Sequence, residues 1–330
     1  MKLPEEEISY IGIFRALQLG DLLCSIPAVR ALRQTYPHAK IALIGLPTMS
    51  TLADRFPNYF DEFIIFPGYL GLPEQGYDPE LFEQFLTDMQ SRKFDLIVQM
   101  QGNGSIVNQL LKSFKSRYLA GFCERDGEES DLFLKYPDYG HEVTRHLALM
   151  AHLGIDIRTG GRLEFPLIEH DFDIFSKSIL KPLVSPYICL HPGSRGSWRQ
   201  WPPLYFAATA DLCIKKGFQV VITGTRSELA LAEQVAAAML YEPLILAGKT
   251  SLGEVAALLS RSQGLISNCT GVSHIAAALE VRSVVISMDG EPKRWGPINT
   301  ELHHTIDWTK SADYDLVADA VRSLFLDKKL

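Results

Sequence analysis

Short apolar runs alternate with longer amphipathic stretches along the whole chain, the pattern of βαβ units and parallel sheets. Residues 8–14 predict a first strand, 15–20 a turn and 21–35 a helix. Further strands are expected at 40–45, 62–66 and 95–100, the last running into the polar turn Gln101-Gly102-Asn103-Gly104-Ser105. The stretches 68–79 and 121–140, rich in Gly, Pro, Asp and Glu, read as long loops, which in a compact domain usually carry function. A helix follows at 140–153, and then a weakly patterned segment, 166–186, with prolines at both ends and at Pro182, reads as a connection. The alternation restarts with strands at 187–191, 219–223, 243–246, 264–267 and 283–287 and helices at 203–216, 227–239, 252–260 and 272–279. A last helix, about 313–326, closes the chain and could pack back on the first domain. The expectation is an α/β protein of two doubly wound, Rossmann-like domains, 1–166 and 187–330, joined by a linker at 167–186. Two such domains facing one another place a cleft at the carboxyl ends of both sheets, where chemistry is expected.

Length and composition agree with this organisation and narrow the partners. A chain of 330 residues, 47% of them hydrophobic, can form two domains with a core each. The formal net charge of −7 argues against nucleic acid as a partner, since neutralising phosphates needs a basic footprint. No run of eighteen apolar residues occurs, so membrane contact is expected to be peripheral at most. The start, with Glu5-Glu6-Glu7, lacks the apolar core of a signal peptide. Five widely spaced cysteines (Cys24, Cys123, Cys189, Cys213, Cys269), several in apolar runs, fit buried thiols in a reducing compartment, and hence a cytoplasmic protein.

Candidate chemistry collects in the turns that follow strands. The turn Arg15-Ala16-Leu17-Gln18-Leu19-Gly20-Asp21 has one glycine where a dinucleotide fingerprint needs three, and no P-loop occurs anywhere. Asp21, at the predicted helix start, reads either as an N-cap or as a general base able to deprotonate an acceptor hydroxyl, and the roles are compatible. In the second half, Pro192-Gly193-Ser194-Arg195-Gly196-Ser197-Trp198-Arg199 follows a strand, and Gly, Ser and Arg together suit an anion. Cys269-Thr270-Gly271 precedes an Ala-rich helix whose positive terminus would meet a diphosphate, with His274 one turn in. From position alone Glu228 is an ordinary first-turn acid. Asp171/Asp173 and Asp313/Asp315 lie away from strand ends, His303-His304 reads as a surface pair, and no metal site is expected. His141 and Arg145 share a helix side that is either solvated or cleft-facing. Gln101, Asn103 and Arg145 are the acceptor-side candidates, within or next to the loops 68–79, 101–105 and 121–140.

These blocks, taken in order, resemble glycosyltransferase family 9, the bacterial heptosyltransferases. The resemblance rests on Gly20-Asp21 leading into Ile26-Pro27-Ala28, on His191-Pro192-Gly193-Ser194 with Arg199-Gln200-Trp201-Pro202, and on Thr223-Gly224 with Glu228. It continues through Thr270-Gly271-Val272-Ser273-His274 to Arg294-Trp295-Gly296-Pro297, covering almost the whole chain. It implies a GT-B fold and an inverting transfer, without metal or other cofactor, from a nucleotide-sugar donor, ADP-heptose in that family. The implied acceptor is the lipopolysaccharide core, a saccharide or lipid-linked saccharide met at the inner face of the cytoplasmic membrane. Carried over by position, Asp21 matches the general base, and Ser194 and Arg199 match donor-phosphate contacts, Arg199 standing where lysine is common. Glu228 matches the ribose-binding acid, reversing the reading from position. Thr250, in Lys249-Thr250-Ser251-Leu252, matches the stretch lining the base, and Thr270, Gly271 and His274 match the diphosphate and sugar site. One departure stands out: Cys269 occupies a place where the family usually has an acid, and a thiol is a weak hydrogen-bonding group without charge near neutral pH. Two rival readings are a nucleotide-sugar epimerase of the same architecture and a non-catalytic nucleotide-sugar binder.

Overall fold

A computed structural model describes residues 3–125, 127, 129–180, 183 and 186–326. The chain divides into two units, Met1–Leu163 and Glu164–Leu330. In the first, the order is β1 (Tyr10–Phe14), α1 (Leu19–Thr35), β2 (Lys40–Gly45), α2 (Ser50–Ala53), β3 (Glu62–Ile65), α3 (Pro79–Arg92), β4 (Leu96–Gln99), α4 (Val107–Lys112), β5 (Tyr118–Cys123), β6 (Phe133–Lys135) and α5 (Glu142–His152). The second has β7 (Tyr187–His191), α6 (Pro203–Lys215), β8 (Gln219–Ile222), α7 (Leu229–Ala238), β9 (Leu244–Ile245), α8 (Leu252–Arg261), β10 (Leu265–Asn268), α9 (Gly271–Ala278), β11 (Ser283–Ser287), α10 (Pro292–Trp295), β12 (His303–Asp307) and α11 (Tyr314–Val321).

Each unit is one six-stranded sheet, in the orders β3-β2-β1-β4-β5-β6 and β12-β11-β10-β7-β8-β9, with every pairing parallel. Counted from its own first strand, the second unit repeats the order of the first. The order reverses between β1 and β4 and again between β7 and β10, so each unit has a switch point where strand-end turns diverge and leave room for a ligand. The central strands are apolar on both faces because helices cover both; Ile11, Ile13, Phe14, Leu96, Ile97 and Val98 are fully buried. In the second unit Ile188, Leu190, Ile266, Val284 and Ile286 form the equivalent core, closed by Trp201, Phe206, Val317 and Phe325.

Several expectations change. The segment 121–140 holds the end of β5 and all of β6, while Asp126 and Glu128 in it lie outside the described residues. Helices α3 and α4 and strands β5, β6 and β12 were not anticipated. The expected linker belongs to the second unit. Its short 3-10 turn Glu169–Ser176 packs on α8, with the Arg261 guanidinium 5.0 Å from the Phe172 ring and 4.2 Å from the Phe175 ring, and Lys177 pairs with Glu254. Pro182 lies outside the described residues. The last helix, α11, packs on α6, β11 and β12 of its own unit, with Val317, Ala318 and Val321 buried. His303 is not at the surface: it is 2% exposed, and its Nδ1 lies 2.8 Å from Ser283 Oγ on the neighbouring strand. Asp171 accepts the Ile168 N–H at 3.0 Å and Asp313 the Asp315 N–H at 2.9 Å, so each caps the start of a helical segment.

Candidate active site

The turn between β1 and α1 sits at the first switch point. Gln18, extended at φ −89° and ψ 179°, caps α1, so Asp21 is the third residue of the helix rather than its cap. Its Oδ2 accepts the Gln18 N–H at 3.3 Å, a first-turn acid meeting the positive helix end. The side chain keeps 24% of its surface exposed, as a base that must reach a substrate requires. Behind it lies a buried charged group. Arg15 donates from Nε and Nη2 to the Asp21 carbonyl at 3.2 and 3.0 Å, from Nη1 to the Met100 carbonyl, and from Nη2 to Glu142 Oε1 at 3.3 Å. Arg145 joins from α5, donating to the Tyr136 hydroxyl at 3.0 Å and Glu142 Oε2 at 3.4 Å. His146 Nε2 is 3.4 Å from Glu142 Oε1. Complete burial, reinforced by the Arg15 charge, depresses the His146 ring to a pKa of about 4, so it is neutral.

The acceptor-side candidates are placed differently from one another. Gln101 is buried, and its Oε1 accepts the Ala16 N–H at 2.9 Å, tying the β4 turn to the β1 turn. Asn103 Oδ1 accepts the Ser105 N–H at 3.2 Å and shapes the partly exposed 101–105 turn. Arg145 is 5% exposed and engaged by the Tyr136 hydroxyl, Glu142 and the Tyr139 carbonyl, so neither a solvated nor an open side describes it. His141 faces its own helix, its Nδ1 accepting the Val143 N–H at 3.1 Å as the cap of α5.

At the second switch point, Asn268 at the end of β10 holds the loop that follows β7. Its Nδ2 donates to the Pro192 and Gly193 carbonyls at 2.7 and 3.3 Å, and its Oδ1 accepts the Trp201 N–H at 2.8 Å. Trp201 is fully buried against Phe206, Trp308 and Tyr205, which anchors the far end of the same loop. Ser194 is buried, and Gln200 donates to its carbonyl at 3.1 Å. Arg199 is partly exposed, lies 5.4 Å from the Trp198 ring and is paired with Asp289. Burial raises the Asp289 carboxyl, but hydrogen bonds from Arg199, Ser287 Oγ and the Glu291 N–H outweigh it and hold the group below the usual carboxylate range.

Glu228 accepts the Thr225 N–H and hydroxyl on Oε2 at 2.7 and 2.9 Å. A Cβ at Gly193 would fall 2.0 Å from Glu228 Oε1, so only glycine lets that carboxylate lie against the loop. His191 Nε2 is 4.0 Å from Glu228 Oε2, and burial lowers its pKa although Glu228 opposes the shift. Thr250 Oγ1 is buried with no hydrogen-bond partner among the described residues, a polar atom available to a ligand. Thr270 caps α9, whose first N–H groups have no intrahelical acceptor and carry the positive helix end. His274 is 3% exposed, its ring 6.4 Å from that of Trp295. Cys269 is also buried; desolvation, reinforced by Asp289, pushes its thiol up to about 12 and keeps it neutral. The second unit thus gathers Ser194, Arg199, Glu228, Thr250, Cys269, Thr270, Gly271 and His274 in strand-end turns and the first helix turns after them. Among the described residues, no group of three or more His, Cys, Asp or Glu could hold a metal ion.

The family model of glycosyltransferase family 9 (heptosyltransferase) matches residues 84–318. The chain belongs to glycosyltransferase family 9. This makes it a glycosyltransferase and sets the epimerase reading aside. Lipooligosaccharide heptosyltransferase 2 of Haemophilus ducreyi is 24% identical over 303 residues, spanning 82% of this chain and 80% of that protein. A family 9 glycosyl transferase from Veillonella parvula superposes with a TM-score of 0.81 at 18% identity, covering 98% of this chain and 99% of its own. The Escherichia coli ADP-heptose heptosyltransferase II structure gives 0.73 at 21% identity, covering 97% and 99%. Both show the same two-sheet GT-B fold. In this family 9 member, sequence reasoning found the residues at strand ends but missed those that hold them: Arg15, Glu142, Asn268 and Asp289. Asn268 closes an apolar strand and was readable as a polar strand end; Asp289 and Glu142 carry no local signal, since their partners are distant in the chain.

Proposed function

We propose that this protein transfers a heptose or related sugar from a nucleotide-diphosphate donor, ADP-linked, to a saccharide acceptor of the lipopolysaccharide core or another cell-surface saccharide. The observation that carries the reading is the second-unit cradle: a cation, a helix terminus, an acid and an unpartnered hydroxyl gathered where strand ends diverge. Those are the groups a nucleoside diphosphate calls for: charge and N–H donors for the phosphates, a carboxylate for ribose hydroxyls, a hydroxyl for the base. Relatives named as heptosyltransferases support heptose as the sugar. In this reading each unit carries one substrate. Asp21 takes the proton from the acceptor hydroxyl as that oxygen attacks the anomeric carbon from the side opposite the leaving group. The anomeric C–O bond breaks, its electron pair leaves with the nucleoside diphosphate, and configuration inverts. Arg199 and the α9 terminus stabilise the departing charge, which gives transfer without a metal or other cofactor. A lipid-linked acceptor would be met at the inner face of the cytoplasmic membrane; no described helix is long and apolar enough to cross it.

The test is transfer from ADP-heptose to a heptose-deficient core oligosaccharide. Asp21→Asn is expected to cut turnover by about three orders of magnitude or more while ADP affinity stays within twofold. Product from the wild type is expected to have inverted anomeric configuration, with the rate unchanged in EDTA. Turnover at the wild-type level in Asp21→Asn, or loss of transfer in EDTA, sinks the corresponding part of the mechanism.

A further inference from the structure

Arg15 is a fully buried cation directly behind the proposed base. Its side chain has 0% exposure, and a charge in that position persists only when partners replace its water. The partners come from separate elements: the carbonyl of Asp21 in α1, the carbonyl of Met100 after β4, and the carboxylate of Glu142 at the start of α5. Nη2 is also 3.6 Å from Asp21 Oδ1. One guanidinium therefore grips the base residue by its main chain and faces its carboxylate. Glu142 is 2% exposed and is shared by Arg15, Arg145 and the Tyr136 hydroxyl. The charged and titratable groups of the cluster are Arg15 after β1, Asp21 on α1, Tyr136 after β6, and Glu142, Arg145 and His146 on α5.

We propose that Arg15 is the positioning residue for Asp21, clamped in turn by Glu142, and that this buried relay fixes both the place of the base and its charge. The inference rests on Asp21 being the base, and it makes a prediction that a merely structural arginine does not. Removing Arg15 withdraws a cation from beside the Asp21 carboxylate and makes it harder to ionise. Removing the negative charge of Glu142 leaves two arginines uncompensated and makes Asp21 easier to ionise, hence a weaker base. The two changes act in opposite directions on one group, although both remove a buried partner.

The experiment titrates the Asp21 side chain in the full-length protein by carbon NMR with labelled aspartate, the Asp21 signal being assigned by its loss in Asp21→Asn. Arg15→Gln is expected to move the titration midpoint up by about one pH unit or more, and Glu142→Gln to move it down by about half a unit. Arg15→Lys, which keeps the charge but loses the fork, is expected to stay near the wild-type midpoint; if Arg15→Gln does not fold, the downward shift in Glu142→Gln carries the test. Transfer from ADP-heptose gives the second readout: the acid limb of the kcat/KM profile follows the same shifts, while ADP affinity stays within twofold. Midpoints that do not move, or that move the same way in Arg15→Gln and Glu142→Gln, overturn the inference. If Asp21→Asn retains wild-type turnover, the base reading fails instead, whatever the titration gives.

Discussion

His146 and His303 are buried neutral, each with its pKa lowered to about 4, mainly by desolvation. The unfolded chain takes up protons at these positions near pH 6.5 and the folded protein does not, so stability is lost as pH falls from about 6.5 towards 4. Each histidine contributes on the order of 3 kcal/mol to that loss. Urea midpoints across this window should fall steeply, and His146→Phe should flatten the slope; an unchanged slope would show that His146 does not titrate on unfolding. Cys269 behaves differently, because its thiol, pushed up to about 12, brings no charge to the proposed donor site at working pH. Asp289 brings the carboxylate there instead, bound to Arg199. Cys269→Asp would set a second carboxylate near the first, and ADP affinity should drop about tenfold by calorimetry; a gain would mean the site lacks an acid rather than already holding one.

The strand-end turns hold their shape through contacts made far along the chain. The loop after β7 is fixed at one end by Asn268 and at the other by the buried Trp201. Gly193 within it is the point where the Glu228 carboxylate leans on the backbone. Gly193→Ala must displace that carboxylate, so ADP affinity should fall about tenfold or more while the urea midpoint changes little. Equal affinity would place Glu228 outside the nucleotide contact. The elements themselves were unevenly legible. Central strands stood out as uninterrupted apolar runs because helices bury both their faces. Helix α3 was readable in principle: Asp78 accepts the N–H groups of Glu80 and Leu81, and Pro79 follows it, a cap and first-turn pair that reading 68–79 as loop hid. Strand β12 was not readable in this way, since His303-His304-Thr305-Ile306-Asp307 lies at the sheet edge with four of five residues half-buried.

At the scale of the molecule, two sheets with the same strand order provide two switch points, and the residues of the proposed mechanism divide between them. The net charge of −7 conceals the local cation at Arg199 and the helix terminus beside it. A ligand that binds only the folded protein stabilises it by mass action, by about 2.7 kcal/mol at a hundred times its Kd. ADP should therefore raise the thermal midpoint of the wild type, and Thr250→Val and Glu228→Gln should each shrink the rise. A larger rise with UDP or GDP would identify a different nucleotide, and no rise with any of them would remove the second unit as the donor site.

The amino-acid sequence by itself determined the α/β class, the repeat of two doubly wound halves, and the strand-end positions of Asp21, Ser194, Arg199, Thr270 and His274. These follow from local periodicity and from turns that break it, and both are written within a few residues. Only the tertiary structure decided what stands behind those residues. That Arg15 meets Glu142, that Asn268 meets Pro192, and that Arg199 meets Asp289 depends on parallel strands bringing together segments between 76 and 127 residues apart. A parallel sheet joins neighbours only through long crossovers, so the groups that aim and charge a strand-end side chain leave no mark in the sequence around it.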